Sequence, residues 1–512
     1  MFSKLGFSVD GGALLVNSPS GVYRLDGKLS VSKNTSADYN FRKGYFIQLV
    51  NSPQGPLAII ARNILKVSVI PEIYKFEDFE IIPLFIEEPE EIYINELQFF
   101  FDEFPIYAFA GSDYIIEQTF PKVGNFFRLN YAVDEILKDT PLQQLLVTCF
   151  TGYVNALKID NVDISIIARR SPHRMGTRYM RRGLDKDGNA ANEVLTSFVM
   201  TKDNTSYAFN IHRGSVPLEW FQDLTLKYKP EVIVTETSTY DVHVNRMLQQ
   251  YDNIHMVNLM KDSGTEGTLT DAFYNTYKNS DINGANYTFF NFSEVCKNMQ
   301  YQNAQILIES LEEDISSIGM SAFTDEKLIK QQHGIFRINC LDCLDRTNVI
   351  QSTITRKAME SIVNIFQIDP VEYDITFRNL WADHGDVLSI QYSGTNAMKR
   401  DFTRMGKRTV LGSLVDGVNS LRRYYKNHFD DGFKQSIIDS VCSSILEVAP
   451  KKGASKFFQA GAAITGTILL LRAGGANAGL IIGAVASEVA LCLRFKQKFI
   501  CRDNKSILEQ NQ

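Results

Sequence analysis

The stretch Ile335-Phe336-Arg337-Ile338-Asn339-Cys340-Leu341-Asp342-Cys343-Leu344-Asp345-Arg346-Thr347-Asn348-Val349-Ile350 joins two kinds of apolar pattern. Ile335 to Ile338 is a short apolar run of the kind that forms a buried strand. After it, Ile350, Ile354, Ala358, Ile362 and Phe366 recur at intervals of four, with Val349, Met359 and Ile365 widening the stripe. That period predicts an amphipathic helix, capped by Thr347 or Asn348. Between strand and helix stand Cys340 and Arg346, six positions apart. A loop of this length wraps one phosphate: its N–H groups and the helix N-terminus supply positive potential, and a guanidinium grips two oxygens. The same field favours thiolate over thiol and makes Cys340 a candidate nucleophile. Arg346 would stabilise the equatorial oxygens, and Thr347 would donate to the sulfur as it leaves. Asn339, Leu341, Cys343 and Leu344 complete the loop. Asp342 and Asp345 are rivals for the general acid, and Asp342 is preferred because it lies within the loop. The chemistry needs no metal or other cofactor.

Cys340 and Cys343 also spell C-x-x-C, but no second such pair occurs in the 512 residues, which argues against a zinc site or thiol–disulfide exchange. Seven cysteines without a regular framework point to a reducing compartment. No secretory signal is read in the first ten residues, which lack a sustained apolar run. The net charge of −6 hides an asymmetry: residues 451–512 hold nine Lys or Arg against three acids, leaving residues 1–450 at −12. A body so negative argues against nucleic acid as a partner, since such binding needs broad phosphate neutralisation.

Outward from the loop, apolar runs at Ile164–Ala168, Val232–Thr235, His255–Leu259 and Tyr287–Phe292 alternate with helical stretches. This predicts an α/β catalytic domain over 121–430, with its ligand at the carboxyl ends of the strands. Residues 1–120 carry short β-rich runs such as Ala13–Val16, Tyr45–Val50 and Leu57–Ile60 between Gly, Pro and Asn, and read as a β-rich N-terminal domain. Between Glu72 and Glu103 lie eleven acids and one lysine, read as a solvated acidic face.

Arg169 to Arg182 contains six arginines and no acid, and is read as a contact for an anionic headgroup or bilayer surface. Arg178, Arg181 and Arg182 are its candidate substrate-binding members; Lys399, Arg404, Lys407 and Arg408 form a second basic cluster. Arg213 is read either as a substrate contact or as a structural partner.

The pattern Arg337-x-Asn339-Cys340-x-Asp342-Cys343-Leu344-Asp345-Arg346-Thr347-Asn348-Val349 resembles the signature of the Sac-domain phosphoinositide phosphatases. Gly176-Thr177-Arg178-Tyr179, Arg181-Arg182-Gly183-Leu184-Asp185, Arg213-Gly214-Ser215-Val216-Pro217 with Trp220, Trp381-Ala382-Asp383 and Tyr392-Ser393-Gly394-Thr395 extend the likeness over roughly residues 1–430. The resemblance implies a phosphoinositide substrate, phosphatidylinositol 4-phosphate foremost, with Cys340 and Arg346 catalytic. It also points to the integral-membrane branch of the endoplasmic reticulum and Golgi. Asn291-Phe292-Ser293-Glu294-Val295-Cys296 and Met405 depart from the family pattern, outside the phosphate loop. Competing readings are a phosphatase for phosphotyrosine or soluble inositol phosphates, and a catalytically silent phosphoinositide-binding tether. A binder would need no thiol.

Residues 431–456 read as a linker. Phe457 to Leu471 is 15 residues without charge, and Ala478 to Leu493 is 16 residues interrupted only by Glu488. Each falls short of the ~20 that comfortably span a bilayer, so a membrane helical hairpin over 457–495 is predicted, followed by a basic cytosolic tail at 496–512. The expected partner is an anionic membrane surface. Deleting residues 451–512 should move the protein to the soluble fraction and leave hydrolysis of a short-chain soluble lipid intact. Aggregation of the shortened chain would assign those apolar stretches to the core instead.

Overall fold

Runs rich in Val, Ile, Tyr and Phe, cut by Gly, Asn and Asp turns, form the seven strands β1 (Leu5–Asp10), β2 (Ala13–Ser18), β3 (Gly21–Leu25), β4 (Val31–Asn34), β5 (Arg42–Ser52), β6 (Gly55–Ser68) and β7 (Ile73–Pro83). In this computed structural model the described residues are 4–442, apart from 35–38, 87–88, 124, 223–229, 298–299, 399 and 406–409. The seven strands pair antiparallel in the order β4-β3-β2-β1-β5-β6-β7. Strands β8 (Ile106–Phe109) and β9 (Phe150–Ile159) carry the ladder on without a break, β7 pairing with β8 and β8 with β9.

The second half of the sheet holds β10 (Val162–Arg170), β11 (Val194–Lys202) and β12 (Thr205–Arg213), antiparallel in sequence. A separate hairpin pairs β13 (Glu219–Gln222) with β14 (Val232–Glu236). Strands β15 (Ile254–Asn258) and β16 (Ala285–Phe289) are parallel. The short pair β17 (Ser321–Thr324) and β18 (Lys327–Lys330) docks on the amino end of β12. β19 (Ile335–Asn339) lies between β12 and β15 and is parallel to both. The order β16-β15-β19-β12 is thus an all-parallel patch, and every residue of β15 and β19 is buried. That is what a strand covered on both faces requires.

Alternate residues of β10 show the two layers. Ile164, Ile166 and Ala168 pack with buried residues of helices Asp345–Phe366 and Pro370–Ser393, whereas Ile167 packs with those of Thr239–Gln250 and Gly264–Asn279. Helices on both faces close the α/β sandwich predicted from the alternating pattern. The predicted helix stripe, Ile350, Ile354, Ala358, Ile362 and Phe366, is buried, while Ile365 is 59% exposed and lies off it. The helix begins at Asp345 with no side-chain cap, so Thr347 and Asn348 lie inside its first turn rather than capping it. Both are engaged elsewhere, as shown below.

Two expectations change. The stretch read as a linker from 431 opens with a helix, Asp431–Cys442, whose Ile437, Ile438, Val441 and Cys442 sit in a core shared with Tyr45, Ile47 and Phe104. The apolar residues there fall on one helical face, which Gln48 extends by donating to Val441 O at 2.7 Å. The run read as a strand to Phe292 ends at Phe289, and Phe292 opens the short helix Phe292–Val295. Among the described residues no helix is long and apolar enough to cross a membrane. The predicted hairpin and basic tail lie outside them.

Ile438 is fully buried, so Ile438→Ala should destabilise the fold by about 2–5 kcal/mol in urea titration. Ile375→Ala, at a position 57% exposed, should change stability by no more than about 0.5 kcal/mol. Equal effects would show that the 431–442 helix does not belong to the core.

Candidate active site

The chain leaves β19 at Asn339 and must turn into the helix at Asp345 within five residues, directly above the carboxyl ends of β12 and β15. Cys343 makes the turn, with φ of +51°, a conformation costly for a side chain with a Cβ. What holds it is polar: its Sγ donates to Gly214 O at 2.9 Å, and its N–H donates to Cys340 Sγ at 3.1 Å. The loop therefore curls around the sulfur of Cys340. Cys340 is 2% exposed and lies at the floor of a cleft of ≈ 890 Å³.

Burial alone would push the Cys340 thiol up. The hydrogen bond from Cys343, the Arg346 guanidinium and the Thr347 hydroxyl, 3.4 Å from Sγ, outweigh burial and bring the pKa down to about 6. Asp342 opposes them weakly. Cys343 goes the other way: burial and the neighbouring Cys340 sulfur raise its thiol well above the ordinary range. One of the two cysteines is thereby prepared as a nucleophile and the other as an inert hydrogen-bond donor.

Arg346 lines the cleft beside Cys340. Its Nη1 donates to Leu259 O at 3.1 Å and to Glu266 at 2.8 Å, and its Nη2 to Glu266 at 3.1 Å. Asp342 takes Nε and Nη2 of Arg178 at 3.0 and 2.8 Å and Nη1 of Arg182 at 2.7 Å. Burial favours the neutral acid, yet these two guanidiniums hold the Asp342 carboxyl far below the usual carboxylate range. Asp345 also lines the cleft, with Oδ1 accepting from Met398 N at 2.9 Å and Oδ2 3.9 Å from Arg423. Leu341 and Leu344 line it too, whereas Asn339 is fully buried and donates to Asn258 Oδ1 at 3.0 Å.

The arginine-rich run is not a basic surface. Arg169 pairs with Asp113. Arg170 is buried against Asn192 and Gln391, Arg174 reaches Arg182 O, and Arg181 pairs with Asp439. Only Arg178 of the three candidates lines the cleft; Arg182 instead braces the loop through Leu341 O and Asp342. The bilayer-contact reading of this run is corrected accordingly: most of its side chains are paired inside the protein, and Arg178 alone of the three candidates remains at the cleft. Arg213 resolves in the same sense. It is fully buried and donates to Asn348 Oδ1 at 3.0 Å and to Cys343 O at 3.4 Å, underneath the loop. Asn348 in turn donates to Trp381 O and accepts from His384 Nδ1–H. Tyr392 donates to Arg181 O at 2.8 Å. Arg404 binds Asn379 and Asp383 and does not line the cleft, while Lys399, Lys407 and Arg408 lie outside the described residues.

Among the parts of the cleft unread in the sequence are three elements: Lys261 to Glu266 after β15, Cys296 and Lys297 after β16, and Ser420, Arg423 and Tyr424 of helix Val410–Phe429. For the first two a signal existed, since both follow predicted strands and open at the carboxyl edge. For the third there was none in local pattern.

A mixed sheet covered by helices on both faces, with a thiol loop at the carboxyl edge of its parallel strands, defines an α/β domain. Residues 46–297, just under half of the chain, match the SacI homology domain, and the chain is similar to the family that carries it. The matched segment runs from within β5 through β16, includes the arginine run, and ends before β19 and the Cys340 loop. The chain is similar to phosphoinositide phosphatase SAC6 of Arabidopsis thaliana, 38% identical over 329 residues, which covers 61% of this chain and 55% of the relative. It is likewise similar to phosphatidylinositol-3-phosphatase SAC1-A of Danio rerio, 37% identical over 287 residues, 54% of this chain and 49% of the relative. A third relative is phosphatidylinositide phosphatase SAC2 of Homo sapiens, 37% identical over 287 residues, of which 25% is covered. The chain thus spans about half the length of the first two and a quarter of the third.

Because the thiolate is the reactive form, alkylation of Cys340 by iodoacetamide should be half-maximal near pH 6 and fall about tenfold per pH unit below that. Thr347→Val removes a donor to the sulfur and should move the midpoint up. A midpoint near ~8.5, the value of a free cysteine, in both proteins would contradict the electrostatics described.

Proposed function

We propose that the chain removes the monoester phosphate of phosphoinositides through a phosphocysteine on Cys340. What supports this most is one juxtaposition: a buried thiol with its pKa lowered to about 6, facing a cleft also lined by the Arg346 guanidinium. The names of the relatives, all phosphoinositide phosphatases or phosphatidylinositol phosphatases, supply the substrate class. In the first step Cys340 Sγ forms a bond to phosphorus as the ester bond to the inositol oxygen breaks. Arg346 and the uncapped N–H groups at the start of helix Asp345–Phe366 receive the charge of the equatorial oxygens. The leaving oxygen takes a proton. In the second step water adds to phosphorus, the S–P bond breaks, and Thr347 donates to the departing thiolate.

The proton donor is Asp345. Asp342, preferred from the sequence, is an ionised anchor between Arg178 and Arg182 and has no proton to give. Asp345 is the other loop carboxylate that lines the cleft, and having lost its proton it can take one from the attacking water. Phosphatidylinositol 4-phosphate is the monophosphate implied by the resemblance of the sequence motifs, and the 3-phosphate, which the name of the SAC1-A relative carries, is its rival. The same likeness favours endoplasmic reticulum and Golgi membranes, with the apolar stretches within 457–495 as the anchor and the catalytic domain facing the cytosol.

Cys340→Ser should abolish turnover of phosphoinositide vesicles with the fold kept, since a hydroxyl cannot supply the anion. Asp345→Asn should slow a phosphoinositide far more than an aryl phosphate, whose leaving group needs little protonation, whereas Asp342→Asn should slow both alike. These are compared as kcat/KM ratios. The reverse pattern would restore Asp342 as the acid, and faster turnover of a phosphotyrosine peptide than of any phosphoinositide would move the protein to another substrate class.

A further inference from the structure

Arg346 offers five N–H donors in two forks: an end-on pair between Nη1 and Nη2, and a side pair formed by Nε and the outer hydrogen of Nη2. The end-on pair is occupied by both carboxylate oxygens of Glu266, at 2.8 and 3.1 Å. The remaining hydrogen of Nη1 goes to Leu259 O at 3.1 Å. Among the described residues nothing accepts from the side pair. The arginine is therefore neither loose nor fully used: its side edge, one of the two that can grip a tetrahedral oxyanion, is free, and its orientation is already set.

Glu266 is itself held. It is the third residue of helix Gly264–Asn279, where the helix N-terminus favours a carboxylate, and its Oε2 also accepts from Lys261 N at 3.1 Å. The pair is largely buried, with side-chain exposures of 19% for Arg346 and 15% for Glu266. Both Leu259 and Glu266 follow β15, the parallel neighbour of β19, so one strand carries the nucleophile loop and the next carries the device that aims its arginine.

We propose that Glu266 is a positioning residue that presets the side edge of Arg346 toward the phosphate, acting through the arginine and never touching substrate. The kinetic part of this inference rests on the phosphatase reading; the binding part does not. Charge alone predicts the opposite sign. A carboxylate beside an oxyanion site repels the oxyanion, so if Glu266 acted only as a charge, or as a competitor that Arg346 must leave to reach phosphate, its removal would tighten oxyanion binding and raise turnover. Positioning predicts weaker binding and slower turnover from the same substitution.

The test uses the full chain carrying Glu266→Gln, with orthovanadate as the tetrahedral oxyanion and iodoacetamide as the probe of Cys340. Vanadate should protect Cys340 in the unsubstituted protein. In Glu266→Gln the concentration needed should rise at least roughly 10-fold, and kcat with a short-chain soluble phosphoinositide should fall roughly 10- to 100-fold, the cost of a misplaced catalytic group. The alkylation midpoint of Cys340 should stay or move down, because Arg346 is still present and now less neutralised. A merely structural collapse of the loop would instead move it up. Glu266→Asp, which keeps the charge and shortens the reach, should show a smaller loss of the same kind, and it carries the comparison if Glu266→Gln does not fold. Unchanged or tighter vanadate protection in the folded variant overturns the proposal, as does an upward midpoint. If protection behaves as expected but the unsubstituted protein hydrolyses no phosphate ester, the phosphatase reading fails and the positioning of Arg346 stands.

Discussion

The carboxylate of Asp342, taken by Arg178 on one side and Arg182 on the other, is the interaction on which the rest of the site depends. A five-residue turn from a buried strand into a helix has little to fix its shape, and Cys343 sits in it at positive φ. Three charged groups meeting within 3 Å, most of them shielded from water, give that turn one conformation. Breaking such a cluster by removing one partner leaves buried charge unpaired, at a cost of about 3–5 kcal/mol. The loop is thereby tied to the segment that follows β10, and with it the thiol is placed over the parallel strands.

The same arrangement explains why so many arginines surround one nucleophile without making a basic surface. Arg170, Arg182, Arg213 and Arg337 are among the largest fully buried side chains of the protein. Arg337 donates to His243 Nε2 and to Ser215 O, Arg213 to Cys343 O, and Arg182 to Leu341 O, so each supports backbone or neutral groups in or beside the loop. Planar guanidiniums suit this task because several fixed donors can bridge strands that a lysine would contact at one point. Their summed field lies beneath the loop, and Arg346 adds to it at the level of the sulfur.

Much of the frame was legible from the sequence. The runs at Ile164, His255 and Ile335 are buried strands and the helix stripe from Ile350 to Phe366 is buried, because burial on two faces or one imposes a period that a single sequence displays; Val232 also opens a strand, but in the separate hairpin, with no buried residue. The arginine run was misread for a physical reason. Charge clusters are ordinarily solvated, and three of the partners that bury this one, Asp342, Gln391 and Asp439, lie 164 to 258 positions away. Asp342 was taken for an acid by position alone, since nothing local shows that two guanidiniums converge on it. Glu266, 80 positions from Arg346, was invisible to spacing, although it stands just beyond a predicted strand, at the edge where ligands gather. The helix at Asp431–Cys442 was lost to the same difficulty at smaller scale, because its apolar face is short and its partners are in β5.

The central claim is that Cys340 carries the phosphoryl group during turnover. The direct measurement is rapid acid quenching of the protein during hydrolysis of a phosphoinositide with radiolabelled monoester phosphate, followed by peptide mapping. The account predicts a transient label on the peptide containing Cys340, appearing before free phosphate and absent in Cys340→Ser. Sustained turnover with no label on the protein, or a label mapped to a residue other than Cys340, would contradict it.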